Sequence, residues 1–170
     1  MNQKPSRSIY FLVYSATIAA IYTVLTMIFA PISFGPIQFR ISEMLCVLPF
    51  FTPAAVPGLF VGCLLSNLLC GSAAIDVVFG SLATLIGATL SYQLRRKRWL
   101  VSIPPILSNA IIIPWVLRYA YGSEDMIWYA MVTVLIGEVL AVGVLGNILL
   151  GVLNHYKYII FGPVLKKPNK

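Results

Sequence analysis

The chain has 170 residues, of which 59% are hydrophobic and only 10% charged, and its mean hydropathy is +0.90. A soluble domain needs more charge than this on its surface, so the composition excludes one and points to an all-α integral membrane protein. The formal charge of +7 does not mark a nucleic-acid binder, because the basic residues flank apolar segments and form no stripe on a polar face.

A spanning helix needs about 20 apolar residues. Residues 9–29 supply the first predicted span. They resemble a signal sequence only superficially, since no small-residue cleavage site follows before Pro31. The stretch from Ala30 to Arg40 holds Pro31, Gly35 and Pro36, together with Phe34, Gln38 and Phe39. Proline and glycine define its backbone, and the aromatics suit either a ligand-contacting lid or contact with lipid headgroups. Residues 41–70 are too long for one span and too short for two. Pro49, Pro53 and Pro57 break this stretch, which predicts two short or partly re-entrant helices over 41–51 and 55–70. Further spans are predicted over 75–94, 99–118 and 126–153. Pro104, Pro105 and Pro114 are expected to bend the fifth, and Trp128 and Tyr129 suit a membrane interface.

Charge chooses the topology. Lys4 and Arg7 precede the first span, Arg95, Arg96, Lys97 and Arg98 follow the fourth, and Lys157, Lys166, Lys167 and Lys170 close the chain. If 41–70 crosses twice, ten of the twelve basic residues face the cytoplasm and Arg40 and Arg118 face out. The expected fold is therefore a six-transmembrane-helix bundle with short second and third helices and both termini cytoplasmic. It divides into a cytoplasmic N-terminus (1–8), a membrane substrate-binding domain (9–153) and a basic cytoplasmic tail (154–170). The expected location is the plasma membrane.

Few residues carry chemistry. Glu138 lies in the middle of the last span, where an ionisable group either meets a ligand or ion in a cavity or bonds to another helix. Asn67 and Asn109 are the other deep polar residues, each a site candidate or an interhelical tie. Arg40 and Glu43 are three apart, so they can pair on one helical face or hold a polar ligand at the rim. Asp76, Glu124 and Asp125 begin helices and suit the dipole; Asp76 is also a site candidate. Ala16 and Ala20, four apart, allow close helix approach, inside the bundle or against a partner. Cys46, Cys63 and Cys70 lack metal-type spacing and read as small apolar side chains. The chain has one histidine, His155, no HExxH and no phosphate-binding GxxxxGK[ST] loop, so it is not read as an enzyme and ATP hydrolysis would belong to partners.

Three segments resemble the QueT family of energy-coupling factor (ECF) S components. They are Ala30-Pro31-Ile32-Ser33-Phe34-Gly35-Pro36-Ile37-Gln38-Phe39-Arg40-Ile41-Ser42-Glu43, Leu48-Pro49-Phe50-Phe51-Thr52-Pro53-Ala54-Ala55-Val56-Pro57-Gly58-Leu59-Phe60 and Asp76-Val77-Val78-Phe79-Gly80-Ser81-Leu82-Ala83-Thr84-Leu85. The resemblance implies a subunit that binds a queuosine precursor from outside and docks on a membrane coupling protein with two ATPases. Ala16 and Ala20 would match the docking pair. The implied ligand is a 7-deazaguanine base such as preQ0, preQ1 or queuine, and no cofactor is implied. Depth and polarity then suggest the roles. Glu138 would accept from the guanine-type edge, Asn109 would bond another ring edge, and Phe34, Phe39, Phe79 or Trp115 would stack on the base. Asp76 or Glu43 would face an amine. The alternatives are the same fold with another vitamin or base, and a membrane structural subunit without a ligand.

Overall fold

The computed structural model describes residues 7–33, 38–122 and 126–162, and among these every regular element is helical. Helix α1 runs over Arg7–Ile28 and the single turn α2 over Ala30–Ser33. A 3-10 helix over Ile41–Phe50 precedes α3 (Ala55–Leu69), α4 (Ala74–Leu94) and α5 (Ile103–Tyr121). Helix α6 is continuous over Ile127–Ile160 and widens to π-helical winding over Val139–Gly146. Four segments are long and apolar enough to cross a membrane: Arg7–Ile28, Ala74–Leu94, Arg98–Tyr121 and Ile127–Ile160. The apolar helices Ile41–Phe50 and Ala55–Leu69 are shorter, as the prolines predicted. The long helices carry exposed Leu12, Val24, Ile86, Leu107 and Ile148, an outer surface suited to lipid.

Two sequence expectations change. Pro104 and Pro105 do not bend α5 from within, because the helix begins at Ile103 and both prolines occupy its first turn. There the missing N–H has no intrahelical acceptor and the fixed φ is already helical. Pro114 alone lies inside. The last helix also runs on to Ile160, past the expected end at 153. Helix α5 stops at Gly122, whose φ of 63° is left-handed and whose N–H bonds the Leu117 carbonyl.

In lipid, helices associate through close contact and hydrogen bonds, and small residues set the approach. A Cβ at Gly62 of α3 would lie 2.8 Å from the Tyr22 Cβ of α1, and one at Gly87 of α4 would lie 2.7 Å from the Pro105 Cα of α5. Hydroxyls are satisfied within the bundle. Thr23 donates to the Ala19 carbonyl (2.9 Å) and reaches the Gly62 carbonyl (3.2 Å), while Ser15 donates to the Ala54 carbonyl (2.9 Å).

The 3-10 helix is the centre of this packing. It touches α1, α3, α4 and α6, and Leu45, Cys46, Val47 and Leu48 on it are all buried. It packs on the π-helical stretch of α6 at Gly146, where a Cβ would meet Val47 Cγ1 at 2.9 Å and the Met44 carbonyl at 3.3 Å. At one end of the bundle Phe161 is buried and stacks on Phe51 with centroids 5.0 Å apart, and Tyr14 donates to the Ile160 carbonyl.

Candidate functional site

Both unusual windings carry an acidic residue. Long 3-10 runs are uncommon and π turns concentrate at functional sites. Glu43 lies in the first turn of the 3-10 helix, and Glu138 is the residue before the π-helical stretch. Each is buried, as are Arg40, Asp76, Asn67 and Asn109.

The contacts tie six elements together. Asn109 of α5 donates through Nδ2 to Glu138 Oε1 of α6 at 2.8 Å. Tyr22 of α1 donates its hydroxyl to Glu43 Oε1, and the Cys46 thiol donates to Glu43 Oε2 at 2.9 Å. Thr26 of α1 donates to Ser42 Oγ at 2.7 Å, holding the start of the 3-10 helix. Arg40 pairs with Asp76 Oδ2 of α4 at 3.7 Å, and Tyr121 of α5 donates to the same oxygen at 3.0 Å. Asn67 of α3 donates to the Asp76 carbonyl at 3.3 Å. The acidic end of α4 at Asp76 is separated from Arg95 by about 30 Å of helix.

A small hollow lies among Gln38, Arg40, Asn109, Ile113, Val134 and Glu138, with a volume of about 10 Å³. Gln38 reaches it from a left-handed backbone, φ 47°, which a non-glycine residue adopts uncommonly. Three buried acceptors of the site lack a hydrogen-bond donor: Glu138 Oε2, Asp76 Oδ1 and Asn67 Oδ1. Buried polar atoms are nearly always satisfied, so these three stand out.

The sequence-predicted residues divide. Glu138, Asn109, Arg40 and Gln38 line one hollow. Asp76 and Asn67 adjoin it through Arg40 and through Ile113: a Cβ at Gly80 would lie 2.8 Å from Asp76 Oδ1, 3.1 Å from Asn67 Nδ2 and 3.8 Å from Ile113 Cδ1. Glu43 lies on the 3-10 helix that packs against the π-helical stretch beginning beside Glu138. Phe39 is half-buried beside Gln38. Phe79 and Trp115 are not brought to this hollow. They are half-exposed and line an outer apolar groove with Ile75, Ile111 and Tyr119, Trp115 stacking on Tyr119 with centroids 6.3 Å apart. Ala16 and Ala20 are exposed on the outer face of α1, whereas Ala19 packs inward against α3. Phe34, Glu124 and Asp125 lie outside the described residues.

Sequence reasoning missed Tyr22, Thr26, Ser42, Cys46 and Tyr121. Tyr22 sits in an apolar run and gives no signal of its own. A helical spacing of four from Tyr22 to Thr26, one turn apart on the face that meets Ser42 and Glu43, is the pattern that could have found it.

Helices of membrane-spanning length around a buried polar cluster define a multi-pass membrane protein. The chain belongs to the QueT transporter family, whose family model matches residues 12–155. It is 41% identical over 87 residues to the "Queuosine precursor transporter QueT" of Lactococcus lactis subsp. cremoris (strain MG1363). That alignment covers 50% of this chain and 51% of the relative, so the chain spans about half the length of the curated relative it matches. No solved structure matches the chain.

Proposed function

We propose that this chain is the substrate-binding S component of an ECF-type importer, and that it captures a 7-deazaguanine queuosine precursor from outside the cell. A coupling protein and two ATPases would supply the energy. Family membership and the name of the relative support this reading. In this reading the chain crosses the membrane six times with both termini cytoplasmic, which leaves ten of the twelve basic residues inside.

The observation that carries the ligand assignment is the Asn109–Glu138 pair. Asn109 holds one carboxylate oxygen while Oε2 keeps no donor, and both residues border the hollow. A guanine-type edge offers an N–H and an adjacent amino group, two parallel donors that one carboxylate accepts as a fork. Burial strengthens such bonds because water does not compete. The hollow, at about 10 Å³, has room for about one water, so binding a heterocycle would need the side chains around it to part. Gln38 and Arg40 would contact the remaining ring edge. Ala16 and Ala20, on the exposed face of α1, would meet the coupling protein.

The test is a thermal-stability screen of the purified protein in detergent with preQ0, preQ1, queuine, guanine, riboflavin and thiamine. A ligand that binds only the folded state adds about 2.7 kcal/mol at a hundredfold excess over its dissociation constant. Stabilisation by deazaguanines alone is the expected result. Stabilisation by riboflavin or thiamine alone would overturn the substrate.

A further inference from the structure

We infer that the seam between α4 and α5 holds an anionic phospholipid, with one acyl chain in the apolar furrow between the two helices and the phosphate on Arg95, Arg96 and Lys97 at the furrow's end.

The shape of the seam suits a chain. Ile86, Leu90 and Leu94 of α4 face Ile103, Leu107 and Ile111 of α5 across a furrow of about 400 Å³, and all six are exposed. Buried Gly87 and Pro105 bring the two backbones together beside it, since a Cβ at Gly87 would lie 2.7 Å from the Pro105 Cα. From Ile86 to Leu94 the furrow runs about 12 Å along α4. That is close to the hydrocarbon depth of one leaflet, ~15 Å. The furrow lies on the outer face of the bundle, apart from the buried cluster around Glu138.

The charge at its end suits a phosphate. Leu94 and Ile103 close the furrow, and the link between them carries Arg95, Arg96, Lys97 and Arg98, all exposed. No acidic side chain pairs with them among the described residues, and Asp76 lies at the opposite end of α4. Arg98 turns to α6, with its Nη2 3.5 Å from the Asn147 carbonyl. Arg95 lies over the Tyr92 ring, 4.1 Å from its centroid, which keeps the guanidinium at the end of α4. Trp99, 79% exposed in the same link, suits the headgroup level of a membrane. A guanidinium grips phosphate oxygens in pairs. Three cations at the mouth of an apolar furrow therefore complement a lipid that joins a phosphate to an acyl chain. An apolar helix of another protein would fill the furrow and leave these charges unanswered.

The test is native mass spectrometry of the purified full-length chain in mild detergent, titrated with dioleoyl phosphatidylglycerol, dioleoyl phosphatidylcholine and glycerol phosphate. The expected result is one phosphatidylglycerol per chain, bound at least about tenfold tighter than phosphatidylcholine. Glycerol phosphate, which has the phosphate and no chains, should not bind. The triple variant Arg95→Gln, Arg96→Gln, Lys97→Gln should bring the two lipids within about twofold of each other. Leu90→Trp with Leu107→Trp fills the furrow from exposed positions and should weaken phosphatidylglycerol about tenfold. Equal affinity of the wild-type protein for the two lipids overturns the inference, and this comparison needs no variant to fold. Undiminished phosphatidylglycerol affinity in the furrow variant overturns it as well. So does a lipid-free dimer that the furrow variant dissociates, because the furrow would then belong to a second copy of the chain.

Discussion

Asn109 and Glu138 meet across α5 and α6 through a 2.8 Å hydrogen bond, and the carboxylate oxygen that Asn109 does not hold is buried without a donor. One half of the Glu138 carboxylate is therefore fixed by the fold and the other is available. Replacing the amide tests the fixed half. Asn109→Leu should destabilise the protein by about 1–3 kcal/mol, because Glu138 would lose its donor while staying buried. Thermal unfolding in detergent reads this, and an unchanged midpoint would mean the pair contributes nothing to packing.

Tyr22 contributes in the same way to Glu43. Its ring is buried in α1 and its hydroxyl bonds the carboxylate from across the bundle. Tyr22→Phe keeps the ring and removes the donor, so a loss of about 1–3 kcal/mol is expected. Cys46→Ala removes the weaker thiol donor and should cost less in the same assay.

Gly146 sets the contact between the two unusual windings. A methyl group there would meet Val47 Cγ1 at 2.9 Å and the Met44 carbonyl at 3.3 Å. Gly146→Val should cost about 1–3 kcal/mol through overpacking. It should also weaken ligand binding, because the 3-10 helix carries Glu43 and the π-helical stretch begins next to Glu138. Binding that survives a large loss of stability would mean the two helices move as independent bodies.

Ala16 and Ala20 make the opposite prediction. Both are exposed on α1, so bulky residues there disturb no internal contact. Ala16→Trp with Ala20→Trp should leave thermal stability and ligand affinity unchanged in the isolated subunit and abolish cellular uptake. Loss of ligand binding together with uptake would remove the docking role.

Much of the fold is legible in the sequence for simple reasons. Apolar length marks the long helices. Pro53 falls in the break between the two short ones, found at Ile41–Phe50 and Ala55–Leu69, while Pro49 and Pro57 lie inside them. The isolated polar residues Glu138, Asn109, Asp76 and Asn67 stand out because burying them in lipid is costly, and all four are buried in the bundle. What escaped depends on helix rotation and winding. Phe79 and Trp115 are aromatic and near the site in sequence, yet both turn outward to the groove beside Tyr119. Tyr22 turns inward although its neighbours are as apolar as those of Trp115. An apolar run also reads the same whether it winds as α or π, so Val139–Gly146 left no trace in composition.

The most direct test of the account is calorimetric titration of 7-aminomethyl-7-deazaguanine into the wild-type protein and Glu138→Gln. The variant keeps the shape of the side chain and replaces one acceptor oxygen with a donor, which opposes the donor edge of the base. The account predicts saturable wild-type binding with one site per chain and a loss of about a hundredfold or more in the variant, given the charge lost and one acceptor replaced by a donor in a buried site. Equal affinity in the two proteins would contradict it and remove Glu138 from the ligand site.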